Sequence, residues 1–116
     1  MDRDRKKELR EQYASRHPDM GVVCWESGGV LWAALSRDAE KDHNRSVFQL
    51  ELGSWPNREL QELYKRAPES FRWSLMKKLD YEDPDEDHSD DLGLLMLEFL
   101  DEHPDARPMK PGSLKV

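Results

Sequence analysis

Eight acids fall within the twelve residues Asp80–Asp91, DYEDPDEDHSDD, with no base among them. Asp83, Asp85 and Asp87 stand at the first, third and fifth positions of an EF-hand calcium loop. The rest of that loop is missing: His88 stands where the sharp turn needs glycine, and Leu94 where the bidentate glutamate belongs. The stretch offers only weak, unspecific attraction for divalent ions, and as like charge around Pro84 it reads as a solvated loop. Other chemistry-bearing residues are scattered. His17, His43, His88 and His103 lie far apart in predicted loops, and with Cys24 as the single cysteine they make no zinc spacing. Cys24 falls mid-strand with no histidine predicted beside it, which reads as a small hydrophobe rather than a nucleophile. No GxSxG, P-loop or dinucleotide fingerprint occurs. Of four tryptophans, Trp25, Trp32 and Trp73 fall in predicted strands and read as core. Trp55, in a turn beside Pro56, is the one expected to be partly exposed, where an aromatic ring can stack on a base.

The elements that must position these residues centre on Gly21–Ser36, GVVCWESGGVLWAALS. Two apolar runs flank Ser27-Gly28-Gly29, and a glycine pair adopts positive φ at little cost, so the stretch reads as a β-hairpin. Both faces of both runs are apolar, which places the hairpin at the centre of a sheet with helices on either side. Phe71, Trp73 and Leu75 alternate with Arg72 and Ser74 and predict a third strand with one buried face. Asp2–Arg16 reads as an exposed helix that ends before Pro18. Arg37–Arg45 reads as a polar connection, and Ser46–Leu52 as a short helix or strand stopped by Gly53. Asn57 caps a helix whose buried stripe is Leu60, Leu63 and Tyr64. Leu92, Leu95, Met96, Phe99 and Leu100 form an amphipathic stripe.

The predicted fold class is therefore α/β, in the α+β sense: a small three-stranded antiparallel sheet flanked by helices. It forms one domain over residues 1–102, with an N-terminal helix in 1–20, sheet and helices over 21–79, an acidic loop at 80–91 and a C-terminal helix at 92–102. Residues 103–116, with three prolines and no periodic pattern, are expected to be a flexible tail.

The 116 residues carry a net charge of −7, and 37% of them are charged. Residues 1–66 hold 12 Lys/Arg and 12 Asp/Glu, whereas residues 67–116 hold 6 and 13, so the second half carries the whole excess. The basic footprint of a dedicated duplex-binding protein is absent. The basic residues Arg3 to Arg10 alternate with acids and read as a solvated helix face. No apolar run approaches a membrane span, and the first ten residues lack the apolar core of a secretory signal. With one cysteine, these features lead us to expect a cytoplasmic protein with no membrane partner.

The order of helix, glycine-led hairpin, helical segments, third strand and C-terminal helix resembles the GIY-YIG nuclease superfamily, and in particular its short, stand-alone bacterial members. Gly21-Val22-Val23 lies where that family has GIY, and Trp32-Ala33-Ala34 where it has YIG. Lys6-Lys7-Glu8-Leu9 through Met20-Gly21-Val22, Phe48-Gln49-Leu50-Glu51-Leu52-Gly53, Asn57-Arg58-Glu59-Leu60-Gln61, and Phe71 with Trp73 continue the likeness over roughly residues 3–100.

The resemblance implies metal-assisted DNA hydrolysis, in which two tyrosines position a water, an arginine steadies the phosphate and a glutamate holds the metal. Carried over residue by residue, Val23 replaces the first tyrosine and Trp32 the second, Arg45 stands for the arginine, and Lys77 falls at the metal-binding glutamate. Asp80 is the nearest acid downstream and the only candidate metal ligand. The chain is therefore expected to be a catalytically degenerate GIY-YIG-like domain acting as a binding or regulatory module. No cofactor is expected, and Mg²⁺ or Mn²⁺ would be needed only if cleavage is retained. One alternative is a divergent active endonuclease using Arg45 and Asp80. Another is a protein-interaction domain with no nucleic-acid role, whose acidic loop suits a basic partner. The expected partners are accordingly a protein or weakly held nucleic acid.

Overall fold

The structure is a computed structural model that describes residues 17–115. The helix expected at Asp2–Arg16 lies outside those residues. Strands β1 (Gly21–Ser27) and β2 (Val30–Ser36) form the hairpin. Gly28 and Gly29 turn it with φ of 57° and 81°, and two successive positive φ values match the right-handed twist of the flanking strands. β3 (Arg72–Lys78) pairs antiparallel with β1 on its other side.

The sheet has four strands in the order β3-β1-β2-β4 rather than three. The fourth, β4 (Arg107–Pro108), comes from the segment expected to be a flexible tail and pairs parallel with β2. That segment is held because Met109 is only 3% exposed, and because the Met109 N–H donates to Ala33 O at 3.0 Å. The Ser113 hydroxyl donates to the same carbonyl at 2.7 Å.

Helices cover both faces, as the two-sided hairpin requires. On one face Val23, Trp25, Trp32 and Ala34 pack against Ala39 and Leu50 of α1 (Ala39–Leu52) and Leu60 of α2 (Arg58–Arg66). On the other, Val22, Cys24 and Ala33 pack against Met96 and Phe99 of α3 (Ser89–Glu102). Among the described residues, no helix is long and apolar enough to cross a membrane.

α1 takes in residues 39–45 of the stretch read as a polar connection. The Asp38 carboxylate caps it by accepting from the Lys41 N–H, and Gly53, with φ of 76°, closes it. Its buried stripe is Ala39, Ser46 and Leu50. Ser46 is tolerated there because its hydroxyl accepts from Trp25 Nε1 at 3.1 Å and donates to His43 O at 2.8 Å.

A β-bulge in β3 decides which side chains reach which face. Trp25 pairs with Trp73 and Val23 with Leu75, but Val22 pairs with Lys77, leaving Met76 as the extra residue. One inserted residue inverts the alternation beyond it. Trp73 and Leu75 therefore face α1, and Lys77 faces α3. Gly21 lies at the end of this pairing, where a Cβ would sit 1.7 Å from the Lys77 carbonyl oxygen, so only glycine lets the two strands approach.

Candidate functional site

On the α1 face a cleft of about 190 Å³ opens between the sheet, α1 and the turn before α2. Its floor is Val23 and Ala34, paired across β1 and β2. One wall is α1, which presents Asp42, Arg45, Ser46 and Gln49, spaced i, i+3, i+4 and i+7 along a single helix face. The aromatic walls are Trp55 and Trp73, and Met109 and Lys110 close the fourth side.

The Trp55 turn is held by a buried amide bonded at both its oxygen and its nitrogen. Gln61 Oε1 accepts from the Trp55 N–H at 2.9 Å, and Gln61 Nε2 donates to Leu50 O at 3.0 Å. Trp55 Nε1 in turn donates to Met109 O at 2.8 Å. The Asn57 carboxamide caps α2 through the Leu60 N–H and donates to Pro108 O at 2.7 Å. The C-terminal segment and the Trp55 turn therefore fix each other.

Charge inside the cleft is sparse. Asp42 is its one carboxylate, and it accepts from the Ser36 hydroxyl at 2.5 Å. Arg45, Lys110 and the Gln49 amide also line the cleft. Among the described residues none of these three side chains forms a hydrogen bond or ion pair. Beside the cleft, His43 stacks on Trp73 with ring centres 4.9 Å apart and tilts against Trp25 at 5.4 Å.

The residues implied by the resemblance are not gathered in one place. Val23 and Arg45 line the cleft. Trp32 is 0% exposed, stacked on Phe71 at 5.8 Å, and its buried Nε1 has no partner among the described residues. Lys77 lies on the far face, where its Nζ donates to Glu102 at 2.5 Å and sits 4.0 Å from Glu98. Those carboxylates raise its pKa. Asp80 follows β3 in an exposed position and is not part of the cleft wall.

A divalent metal, which the resemblance implies, does not fit these residues. Among the described residues no three of His, Cys, Asp and Glu stand together to hold one, and this includes Asp83, Asp85 and Asp87. A cation stands at the implied ligand position, and Asp42 already shares an oxygen with Ser36. Thiol chemistry has no footing either: burial pushes the Cys24 thiol up to about 12, with Glu26 adding to the effect. Nor is His88 the exposed loop histidine expected. It is buried at the start of α3, with Nε2 2.6 Å from Asp83 O and its ring 5.0 Å from that of Tyr81.

Asp42, Gln49, Trp73 and Lys110 were not singled out from the sequence as parts of one site. Asp42 and Arg45 are one helical turn apart, a signal that exists only if residues 39–45 are read as helix. Lys110 reaches the cleft only because the C-terminal segment folds back.

The four-stranded sheet, with α1 and α2 on one face and α3 on the other, is a GIY-YIG-like fold. Two solved structures share it. The catalytic domain of the homing endonuclease I-TevI, a GIY-YIG endonuclease, superposes with a TM-score of 0.61 at 17% identity, over 77% of this chain and 96% of that domain. A point mutant of the same catalytic domain superposes with a TM-score of 0.58 at 17% identity, over 78% of this chain and 93% of the other. No family model matches the chain, and no curated protein matches it.

Proposed function

We propose that this protein is a catalytically degenerate GIY-YIG-like domain that uses the nuclease cleft to bind rather than to cut. The observation that carries this reading is the make-up of the cleft. Its floor is Val23 and Ala34, and its only carboxylate, Asp42, is bonded to Ser36. Phosphodiester hydrolysis needs a polarised water and stabilisation of the charge that develops on phosphate. Arg45 and Lys110 supply the second need, and nothing on the floor supplies the first.

The test is incubation of the purified chain with supercoiled plasmid and with branched DNA in Mg²⁺ or Mn²⁺. No nicking above the metal-only control is expected. Nicking that disappears with Asp42→Asn or Arg45→Ala would overturn the reading and establish a divergent nuclease.

A further inference from the structure

We infer that copies of this chain associate head to tail, the outer strip of α3 on one copy docking antiparallel on the outer strip of α1 on the next. The inference stands apart from the reading of the cleft.

Exposure is the first observation. Among the described residues five large apolar side chains are exposed, and four of them form two pairs. Phe48 and Leu52, each 65% exposed, lie on α1, and Leu94 and Leu97, 59% and 54% exposed, lie on α3. Single exposed apolar side chains are ordinary on a protein surface. A pair on one helix face is apolar area that a second helix can cover.

Spacing is the second. On α3, Asp90, Leu94, Leu97 and Asp101 follow at i, i+4, i+7 and i+11, and on α1, Lys41, Arg45, Phe48 and Leu52 follow at the same intervals. Each of these residues is exposed, so each set is one outward strip of its helix. Laid antiparallel, Leu94 meets Leu52, Leu97 meets Phe48 and Asp101 meets Arg45.

Charge is the third, and it selects this pairing over the others. α3 carries five acids and no base, so α3 against α3 sets like charge on like. Asp101 and Glu102 stand in the last turn of α3, where the helix dipole favours a cation and the helix has none of its own. Antiparallel docking brings Arg45 to that end. Parallel docking would bring it to the other end, where the dipole disfavours it.

α1 and α3 cover opposite faces of the sheet. Each contact therefore leaves one strip of either kind free, and the assembly grows instead of closing as a dimer. Each helix has 14 residues and spans about 21 Å. A single contact of that length lies at the small end of interfaces, which suits a dissociation constant on the order of 0.1 mM.

The test is analytical ultracentrifugation of the full chain from ~10 µM to ~1 mM, a range that brackets that constant, at ~0.15 M NaCl, where long-range repulsion between copies is screened. The average mass should rise with concentration and pass that of a dimer. Leu94→Gln with Leu97→Gln on one variant, and Phe48→Gln with Leu52→Gln on another, should each abolish the rise. Their thermal midpoints should stay within about 2 °C of the parent, since all four side chains are exposed. Mixed together, the two variants keep one intact strip of each kind and should form a dimer of one to one and nothing larger. Arg45→Asp and Asp101→Arg should each weaken association about fivefold or more, and the chain carrying both should recover it.

A mass that stays monomeric to the highest concentration would overturn the inference. So would a dimer that survives the α3 substitutions, which would mean α1 pairing with α1. Mixed variants that remain monomeric, or a double charge reversal that recovers nothing, would refute the pairing. A midpoint lowered by more than about 5 °C in the leucine variants would mean that the strip is covered within the chain itself.

Discussion

Gly21 shows how one residue fixes the geometry on which the rest depends. Its neighbours across the sheet are backbone atoms, which cannot move aside, and a Cβ would fall 1.7 Å from the Lys77 carbonyl oxygen. Gly28 is also in a left-handed conformation, but nothing lies within 4 Å of the Cβ it lacks. Two alanine substitutions therefore separate steric from conformational cost. Gly28→Ala should cost about 1–2 kcal/mol, the penalty of left-handed backbone in an L-residue. Gly21→Ala should cost on the order of 3 kcal/mol or more and lower the thermal midpoint by roughly 10 °C. Equal losses in thermal melts of the two variants would show that β1 and β3 are not so closely joined. At the same scale, Val23 and Trp32 were legible from the sequence as apolar positions of a hairpin, because alternation needs only local information. That Lys77 leaves the cleft face was not legible. Phe71, Trp73, Leu75 and Lys77 alternate without interruption in the sequence, and only pairing with β1 reveals Met76 as the bulge that turns Lys77 over.

Among the elements, the hairpin, α2, β3 and α3 were readable because each carries its own apolar period. α1 was not, because the residues of its buried face are Ala39, Ser46 and Leu50. A small residue and a serine suit that face since Trp25 and Trp73 reach across to fill the space, and this complement lies far away in the chain. The C-terminal segment escaped notice for a related reason: one methionine among prolines shows no period. Met109 nonetheless joins the cluster of Trp25, Trp32 and Leu60. Arg107 pairs with Glu59 outside it. Met109→Ala should therefore cost about 2–3 kcal/mol in urea unfolding, as for a buried methionine elsewhere. A flexible tail would lose less than about 0.5 kcal/mol, so a small change would mean that β4 does not hold in solution. The same variant opens the fourth wall of the cleft, which Met109 lines, while the backbone carbonyl that receives Trp55 Nε1 is kept.

Across the whole molecule, acidic side chains crowd the second half of the chain, and salt should act on their repulsion. The α3 side carries Asp90, Asp91, Glu98, Asp101 and Glu102, and the acidic stretch that precedes α3 lies beside Arg37, just before α1. Arg37 sits against the loop: its Nη2 lies 3.9 Å from Asp87 and donates to Ser89 Oγ at 2.9 Å. On the cleft side, α1 carries Lys41 and Arg45 with Glu40, Asp42 and Glu51, and Lys110 lines the cleft. Like charges crowded on one face destabilise the folded chain, and added salt screens them as the Debye length falls from ~10 Å at 0.1 M to ~3 Å at 1 M. The thermal midpoint should therefore rise by roughly 2–5 °C between 0.05 and 0.5 M NaCl. Asp85→Asn with Glu86→Gln should reduce that rise, since both residues are exposed in the loop. A midpoint that drops with salt would show the ion pairs Lys77–Glu102, Lys78–Asp19 and Arg107–Glu59 outweighing the repulsion.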